Sequence, residues 1–166
     1  MKILVTGGLG FIGSNFILKL LNESEDFEII NVDAELYGAN RRNLSEIQNH
    51  EKYEFVKGNI TNKRLMEETI SKCDTVVNFA AESFVDRSIS DANPFLVSNI
   101  RGAFTILDII TKQKKRMVQI STDEVFGSLS SDTATEESKF NPSSPYAATK
   151  AAAELLINSY SITYDS

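Results

Sequence analysis

Cysteine and clustered positive charge are both scarce in this sequence, and each shortage excludes a class of protein. Cys73 is the only cysteine in 166 residues, so neither a disulfide framework nor a multi-cysteine metal site can form within the chain. The net charge is -6, and the one basic cluster, at 112–116, has the pattern of a helix end. This charge argues against a nucleic-acid or anionic-membrane surface, because neutralising phosphates requires clustered lysine and arginine.

Long apolar runs are also missing. No segment approaches the ~20 apolar residues that cross a bilayer, and the first apolar stretch leads into a glycine turn instead of a signal-peptide cleavage region. We expect a soluble, cytoplasmic protein with no nucleic-acid partner, no membrane partner and no metal site. The length and a hydrophobic content of 42% fit one globular domain over residues 1–166.

Short apolar segments alternate with helical patterns along the chain. The segments predicted as strands are 2–6, 29–33, 53–57, 75–79 and 117–121. The main helices are predicted at 11–21, from Asn93 and Pro94 to about 112, and from about Ser144 onward. This alternation predicts an α/β Rossmann fold, a doubly wound parallel sheet of at least five strands in the order 3-2-1-4-5. Ligands of such folds bind beyond the carboxyl ends of the strands.

The first strand ends in a glycine-rich turn, TGGLGFIG at 6–13. Gly7 permits a tight turn, Gly10 lets the backbone approach a pyrophosphate, and Gly13 allows close packing of the next helix. The amide groups and dipole of that helix attract an anion. A glycine loop that only packs is the alternative, but the strand before it and the helix after it favour a dinucleotide site.

An acid at the end of the second strand indicates which dinucleotide binds. Asp33 follows Gly13 by twenty residues and can accept hydrogen bonds from both hydroxyls of the adenosine ribose, whereas it repels a 2′-phosphate. NAD is therefore predicted over NADP. Arg41 and Arg42 leave NADP binding as an alternative, although they lie well past the usual position for binding a 2′-phosphate.

Tyr146 and Lys150 lie one turn apart on the last predicted helix, so their side chains project from the same face. The ammonium can stabilise a phenolate and lower the pKa of the tyrosine from ~10 toward neutrality. Such a tyrosine takes a hydroxyl proton while hydride leaves the same carbon. An exposed tyrosine–lysine pair is the default elsewhere, but the position after strand five of a dinucleotide fold favours catalysis.

A hydroxyl and two carboxylates leave the carboxyl end of the fifth strand, within STDEVFG at 121–127. Thr122 can orient a substrate hydroxyl, while Asp123 and Glu124 offer one acid and one base. A solvated turn that caps a helix is the alternative interpretation of the same residues.

Several segments together carry a family resemblance: MKILVTGGLGFIGSNF, NVDAELYGAN, NFAAESFVDRSI, STDEVFG and SPYAATKAAAELL. In this order, and over nearly the whole chain, they resemble the extended short-chain dehydrogenase/reductases, and among them the dTDP-glucose 4,6-dehydratases. The resemblance implies a lyase that acts on a nucleotide sugar and recycles its NAD. In that family the sugar C4 hydroxyl is oxidised by NAD, water is eliminated across C5 and C6, and the hydride returns to C6.

Catalytic roles follow from the resemblance. Tyr146 would be the base for C4 oxidation, and Lys150 would tune it and hold the nicotinamide ribose. Thr122 would hydrogen-bond the C4 oxygen, Asp123 would protonate the leaving C6 hydroxyl, and Glu124 would remove the C5 proton. Related epimerases share the glycine turn and the tyrosine–lysine pair but run no elimination, so the adjacent carboxylates favour a dehydratase.

Cofactor contacts are implied in the same way. The segment 58–60 (GNI), with Asn59 and Ile60, would line the adenine, Ala80 and Ala81 would pass along the cofactor, and Asn99 would support it from the fourth helix. The implied cofactor residues are Gly7, Gly10, Phe11, Ile12, Gly13, Asp33, Asn59, Ile60, Ala80, Ala81, Asn99, Tyr146 and Lys150.

Four residues depart from the family pattern. Asn59 replaces an aspartate, and its amide oxygen is expected to accept a hydrogen bond from the adenine amine. Asn78 and Phe84 stand where histidines are usual, and Phe126 replaces a tyrosine. Phe84 removes a polar group near the substrate pocket, which bears on the identity of the substrate.

Family members continue beyond the last helix into a smaller domain that grips the sugar nucleotide. We therefore expect this chain to be the cofactor domain of a longer enzyme, binding NAD but turning over sugar nucleotide poorly by itself. The resemblance also implies a homodimer through the fourth and fifth helices, at 93–112 and from 144. The loop at 127–145 is either a lid or a connection.

Two other functions stay open. A nucleotide-sugar 4-epimerase or decarboxylase would use the same cofactor site and the same tyrosine–lysine pair. A non-catalytic NAD-binding module would bind the cofactor and leave Tyr146 and the Thr-Asp-Glu run unused.

Overall fold

A computed structural model of the chain describes residues 1–129 and 133–164. Its centre is a five-stranded parallel sheet in the order β3-β2-β1-β4-β5. The strands are β1 (Lys2–Thr6), β2 (Glu28–Asp33), β3 (Tyr53–Lys57), β4 (Thr75–Asn78) and β5 (Arg116–Gln119). The predicted strand order is confirmed, and each predicted strand is found within two residues of its expected ends. Residues 130–132 of the loop at 127–145 lie outside the described part of the chain.

The central strand is buried on both faces, which explains its continuous apolar sequence. Leu4 faces one side of the sheet with Ile30, whereas Ile3 and Val5 face the other, because side chains alternate along a strand. The strand is therefore apolar from Ile3 to Val5, as expected for a parallel sheet covered on both sides.

Helices cover both faces. The helix α1 (Phe11–Glu23) packs on one face through Ile17 and Leu21. The helix α2 (Lys63–Ser71) packs on the other, where α5 (Ala103–Gln113) and α6 (Pro145–Tyr164) join it. Met66 and Ile106 are fully buried at the centre of this second layer. Among the described residues, no helix is long and apolar enough to cross a membrane.

The segment after β4 is less regular than the single helix predicted from Asn93 to about 112. Two short helices come first, α3 (Val85–Ser90) and α4 (Asn93–Phe95). A π-helical segment, Leu96–Gly102, then leads into α5. The prediction of one regular helix was therefore wrong over 96–102. Wider π-helical turns occur often at functional positions, and this one contains the buried Asn99.

Candidate cofactor and active-site cleft

A cleft of about 410 Å³ opens beyond the carboxyl ends of the strands. It collects residues from the turn after β1, from the segments after β2, β3, β4 and β5, and from α6. The predicted site residues that line it are Gly7, Gly10, Phe11, Ile12, Gly13, Asp33, Asn59, Ile60, Ala80, Ala81, Tyr146 and Lys150. The glycine turn and Asp33 form one part, which we call the glycine end. Ser121, Tyr146 and Lys150 form the other part, the tyrosine end.

Glycine is required at two positions of the turn because of close backbone approach. Gly7 has a positive φ of 72°, and a Cβ atom there would lie 2.6 Å from the backbone nitrogen of Ala80. A Cβ on Gly13 would lie 2.6 Å from the carbonyl oxygen of Gly7. Both distances are shorter than any van der Waals contact, so larger residues would displace the backbone. The turn therefore stays narrow and leaves the cleft open beside it.

The amino end of α1 faces the cleft without a side chain to cap it. Gly10 is the N-cap residue, and no side chain in the described chain caps this helix. Phe11 and Ile12 are 81% and 62% exposed although both line the cleft. The first amides of a helix have no partner within the helix and favour an anion. This geometry fits a pyrophosphate.

Asp33 ends β2 with a buried carboxylate. Its Oδ2 accepts a hydrogen bond from the amide of Leu9 at 3.0 Å, and its Oδ1 accepts one from the amide of Glu35 at 2.8 Å. Each carboxylate oxygen has a second acceptor site, and Asp33 lines the cleft. The carboxylate is thus oriented by the backbone and can still accept hydrogen bonds from a pair of ribose hydroxyls. Together with the open helix end, it makes the cleft suitable for a dinucleotide.

Asn99 supports the cleft from behind. Its Oδ1 accepts from the Glu82 amide at 2.9 Å, and its Nδ2 donates to the Glu82 carbonyl at 2.9 Å and to Thr149 Oγ1 at 3.0 Å. All the hydrogen-bonding groups of the side chain but one lone pair are used. Asn99 does not line the cleft as described. It positions the strand-four segment that includes Ala81 and ties it to α6.

Lys150 is buried at the tyrosine end, with 5% of its surface exposed. Its Nζ donates a hydrogen bond to the carbonyl of Ile120 at 2.5 Å. Burial disfavours the charged ammonium and lowers the pKa of Lys150 to about 8. The residue is therefore largely cationic at neutral pH and close to titrating.

Tyr146 lies one turn before Lys150 and is oriented by the surrounding helices. Its backbone amide donates to Ser88 Oγ at 3.1 Å, and its ring lies 6.3 Å from the ring of Phe95. Burial raises the pKa of Tyr146, the Thr122 side chain lowers it less strongly, and the charges of Glu124 and Asp123 raise it further. The predicted lowering of this pKa by Lys150 is not found, because burial outweighs the contribution that lowers it.

The Thr-Asp-Glu run follows the cleft-lining Ser121 and lies near Tyr146, but none of its three residues lines the cleft. Thr122 caps the 3-10 helix Asp123–Phe126, and its Oγ1 accepts a hydrogen bond from the Glu124 amide at 3.3 Å. Asp123 and Glu124 are exposed, yet both are near enough to influence the pKa of Tyr146. The capping turn is therefore present, while the catalytic roles of the same residues stay a prediction.

Comparison with known proteins assigns the chain to a family. The family model for GDP-mannose 4,6 dehydratase matches residues 4–166. The chain belongs to this family. It is 45% identical over 166 residues to the low-salt glycan biosynthesis protein Agl12 of Haloferax volcanii, covering 99% of this chain and 53% of that protein. The chain therefore spans about half the length of the curated relatives it matches.

Solved structures of the dehydratase family agree with the fold. The dTDP-glucose 4,6-dehydratase DesIV of Streptomyces venezuelae, solved with NAD bound, superposes with a TM-score of 0.96 at 42% identity, covering 99% of this chain and 53% of that one. The UDP-glucose 4-epimerase of Brucella ovis, also in complex with NAD, superposes with a TM-score of 0.87 at 26% identity, covering 99% and 49%. The chain is closer in sequence to the dehydratase.

Three of the departures from the dehydratase pattern have structural explanations. Asn78 is buried, accepts a hydrogen bond from Thr6 Oγ1, and donates to Gln119 Oε1 at 2.7 Å, so it links three strands. Phe126 packs against the ring of Phe140 at 6.0 Å. Phe84 lines the cleft and meets the Tyr37 ring edge-on at 4.9 Å.

The fourth departure corrects an expectation about Asn59. Its Oδ1 accepts two hydrogen bonds, from the Thr61 amide at 2.9 Å and from Thr61 Oγ1 at 2.8 Å. A carbonyl oxygen has two lone pairs, so this amide oxygen is already fully used. The expectation that it accepts a hydrogen bond from an adenine amine is therefore wrong for this conformation, and Asn59 contributes to the wall of the cleft instead.

Two cleft-lining residues of this dehydratase-family chain, Ser121 and Glu82, were not identified as site residues from the sequence. Ser121 lines the cleft and donates a hydrogen bond to Glu154 on α6. Glu82 lines it as well, with its buried carboxylate 2.7 Å from Arg87. The only signal in the sequence was their place inside the AAES-VDRSI and STDEVFG segments, because both partnerships depend on the tertiary structure.

Proposed function

We propose that this chain binds NAD in the cleft and that the protein is an NAD-dependent nucleotide-sugar 4,6-dehydratase acting on dTDP-glucose. One observation carries the proposal. The adjacent carboxylates Asp123 and Glu124 lie near Tyr146, which lines a cleft whose other end suits a dinucleotide. An elimination needs both an acid and a base next to the oxidised carbon, and a simple epimerisation does not.

The cofactor would lie along the cleft from one end to the other. The open amides at the start of α1 would hold the pyrophosphate, and Asp33 would accept the ribose hydroxyls. Ala80 and Ala81, which follow β4, have side chains too small to obstruct the path of the cofactor. Lys150 would hold the nicotinamide ribose. NAD, when bound, supplies a hydride acceptor for the sugar C4 and a hydride donor for C6.

Three side chains would move the protons of the reaction, and Thr122 would orient the substrate. Tyr146 takes the proton of the C4 hydroxyl as hydride leaves C4, while Thr122 hydrogen-bonds the same oxygen. The C4 ketone acidifies the C5 proton, which Glu124 removes. Asp123 protonates the C6 hydroxyl, which departs as water. The double bond between C5 and C6 is then reduced at C6, and a proton returns to C5.

We infer that residues 1–166 act as the cofactor-binding domain. The relatives are about twice as long, and Asp123 and Glu124, the carboxylates assigned to the elimination, are exposed and do not line the cleft. The chain alone is therefore expected to bind NAD and to convert sugar nucleotide slowly.

A homodimer and a cytoplasmic location belong to the same proposal. Apolar side chains remain exposed on α5 and α6, including Phe104, Leu155 and Ile162. Pairing of these helices between two copies would cover them. The net charge of -6 supports the absence of nucleic-acid and membrane partners.

The first test is NAD binding by the purified chain, measured by calorimetry. The second is product analysis with dTDP-glucose, in which loss of water and a 4-keto-6-deoxy sugar are expected from a protein as long as the relatives. Glu124→Gln should stop elimination while C4 oxidation, followed by absorbance of the reduced nicotinamide, continues.

The alternatives predict different results in the same assays. A 4-epimerase would return a sugar of unchanged mass, and a decarboxylase would release carbon dioxide from a uronic acid. A non-catalytic module would bind NAD with no change in the nicotinamide absorbance in the presence of any sugar nucleotide. Each of these outcomes contradicts the dehydratase proposal.

A further inference from the structure

An ion-pair cluster lies beside the glycine end of the cleft, two residues beyond Asp33. Glu35 accepts a hydrogen bond from Arg41 Nε, and its other carboxylate oxygen is 2.6 Å from Lys57 Nζ. Both cationic side chains are more than 60% exposed, whereas that of Glu35 is 21% exposed. These two hydrogen bonds lower the pKa of Glu35 to about 2, so the cluster is charged at physiological pH.

The backbone places this cluster next to the ribose position. Lys57 pairs with Asp33 in the register of β2 and β3. Glu35 has a positive φ of 56°, held by the hydrogen bond of its amide to Asp33. Ala34 and Leu36 line the cleft, whereas Glu35 between them does not. The left-handed conformation therefore directs the Glu35 side chain away from the cleft.

Arg41 is held on the same side. It begins the 3-10 helix Arg41–Leu44, which follows the cleft-lining Ala39. Its guanidinium lies 4.5 Å from the centre of the Phe55 ring. A stacked, ion-paired arginine has little freedom to reach another anion. Arg41, which the sequence left open as a ligand of a 2′-phosphate, is thus already occupied.

We propose that Glu35 is a specificity-determining residue that excludes NADP by occupying Arg41 and Lys57. With Glu35 ionised, the charges of Asp33, Glu35, Arg41 and Lys57 sum to zero. Without it they sum to one positive charge with two unpaired cations, which favours a 2′-phosphate dianion. The preference for NAD over NADP then depends on two acids. Asp33 binds the ribose hydroxyls, and Glu35 keeps Arg41 and Lys57 from pairing with a 2′-phosphate. This inference rests on the proposed binding of NAD.

The test compares the affinities of NAD and NADP by calorimetry at low salt. Glu35→Gln keeps the shape of the side chain and removes its charge. NADP should bind about five- to tenfold more tightly to this variant than to the unaltered chain, whereas the affinity for NAD should change by less than about twofold. The gain should shrink as salt is added, because it comes from exposed charges.

A matched control lies at the opposite, amino-terminal end of the same two strands. Glu25 is ion-paired with Lys52 just before β2 and β3 begin, far along the strands from the cleft. Glu25→Gln should alter neither affinity. In the triple variant Glu35→Gln/Arg41→Gln/Lys57→Gln, the gain in NADP affinity should disappear.

Unchanged NADP affinity in Glu35→Gln would overturn the inference, and so would a gain that persists in the triple variant. If Glu35→Gln fails to fold, Glu35→Asn gives the same test, since asparagine tolerates a positive φ. Failure of the unaltered chain to bind NAD would contradict the proposed function instead. Normal NAD binding, with no gain in NADP affinity in Glu35→Gln, would contradict only the role of Glu35.

Discussion

The two ends of the cleft are held by different kinds of contact. At the glycine end, backbone groups define the site: the Gly7 amide donates to the Val32 carbonyl at 2.9 Å, and the Leu9 amide donates to Asp33. At the tyrosine end, a side chain of α6 meets the segment that follows β5 across 30 residues of sequence, because Lys150 Nζ donates a hydrogen bond to the main-chain carbonyl of Ile120. The glycine end thus depends on the local path of the main chain, and the tyrosine end on how α6 packs against the segment that follows β5.

The strongest test of this difference is Gly7→Ala at the glycine end. The positive φ and the approach of the Ala80 backbone should together cost about 4 kcal/mol in the free energy of unfolding and abolish NAD binding. Gly38→Ala is the matched control. It also has a positive φ, of 88°, but a Cβ there lies 3.7 Å from its nearest neighbour, so only the cost of the dihedral, about 1–2 kcal/mol, applies. Equal losses in urea unfolding would contradict the proposed collision.

Lys150 gives a pH-dependent test at the tyrosine end. Its folded pKa of about 8 lies below the ordinary value of 10.5. Folding therefore disfavours the charged form of Lys150 by about 3 kcal/mol, and this destabilisation of the folded chain applies in full below pH 8. Between these two pKa values the unfolded chain binds more protons, so stability rises with pH and the penalty is gone above 10.5.

Lys150→Met should lack this rise, so the stability of the unaltered chain relative to the variant should increase from pH 8 to pH 10 in urea unfolding. Lys19→Met, at a lysine whose side chain is 69% exposed, is the control and should show no such trend. Parallel pH profiles for Lys150→Met and the unaltered chain would show that Lys150 is not desolvated.

Asn99 links the segment after β4 to α6, because it bonds both Glu82 and Thr149. Asn99→Leu should destabilise the chain by about 2 kcal/mol, since it leaves the Glu82 amide and carbonyl without their partner. It should also weaken NAD binding although the side chain does not line the cleft. Asn15→Leu, on the exposed face of α1, is the control. Full NAD affinity in Asn99→Leu would remove the proposed link.

The smallest effect is expected for Ser121→Ala. Its hydroxyl bonds the carboxylate of Glu154 at an exposed position, so the loss of stability should stay below about 1 kcal/mol. Because Glu154 is the charge that raises the pKa of Lys150, Glu154→Gln should shift the Lys150 titration to lower pH. A larger stability loss in Ser121→Ala than in Asn99→Leu would contradict the expectation that the buried contacts of Asn99 stabilise the chain more than the exposed contact of Ser121.

Much of the glycine end could be predicted because its signals are local. A strand of five residues, three spaced glycines and an acid twenty residues later define a path that few other folds permit. Tyr146 and Lys150 were also identified, since helical spacing places them on one face. The electrostatics of the pair were not, because the pKa of Tyr146 depends on burial and on Glu124, and neither follows from spacing.

Other features required the folded chain. The π-helical turn at 96–102 has no distinctive sequence pattern, and Asn99 is explained only by its contacts with Glu82 and Thr149. Asn59 illustrates the same limit, because the hydrogen-bonding capacity of an isolated amide does not reveal that Thr61 has already used it.

The sequence by itself determined the order of the strands, the dinucleotide character of the cleft and the residues that reach its two ends, because periodicity and glycine spacing act over short distances along the chain. Only the tertiary structure decided which charges meet. Glu35 pairs with Lys57 because β3 lies beside β2, and Lys150 bonds Ile120 because α6 packs against the segment that follows β5. Such pairings depend on distances of a few ångströms between residues far apart in the chain, and electrostatic effects follow those distances and the exposure of each group.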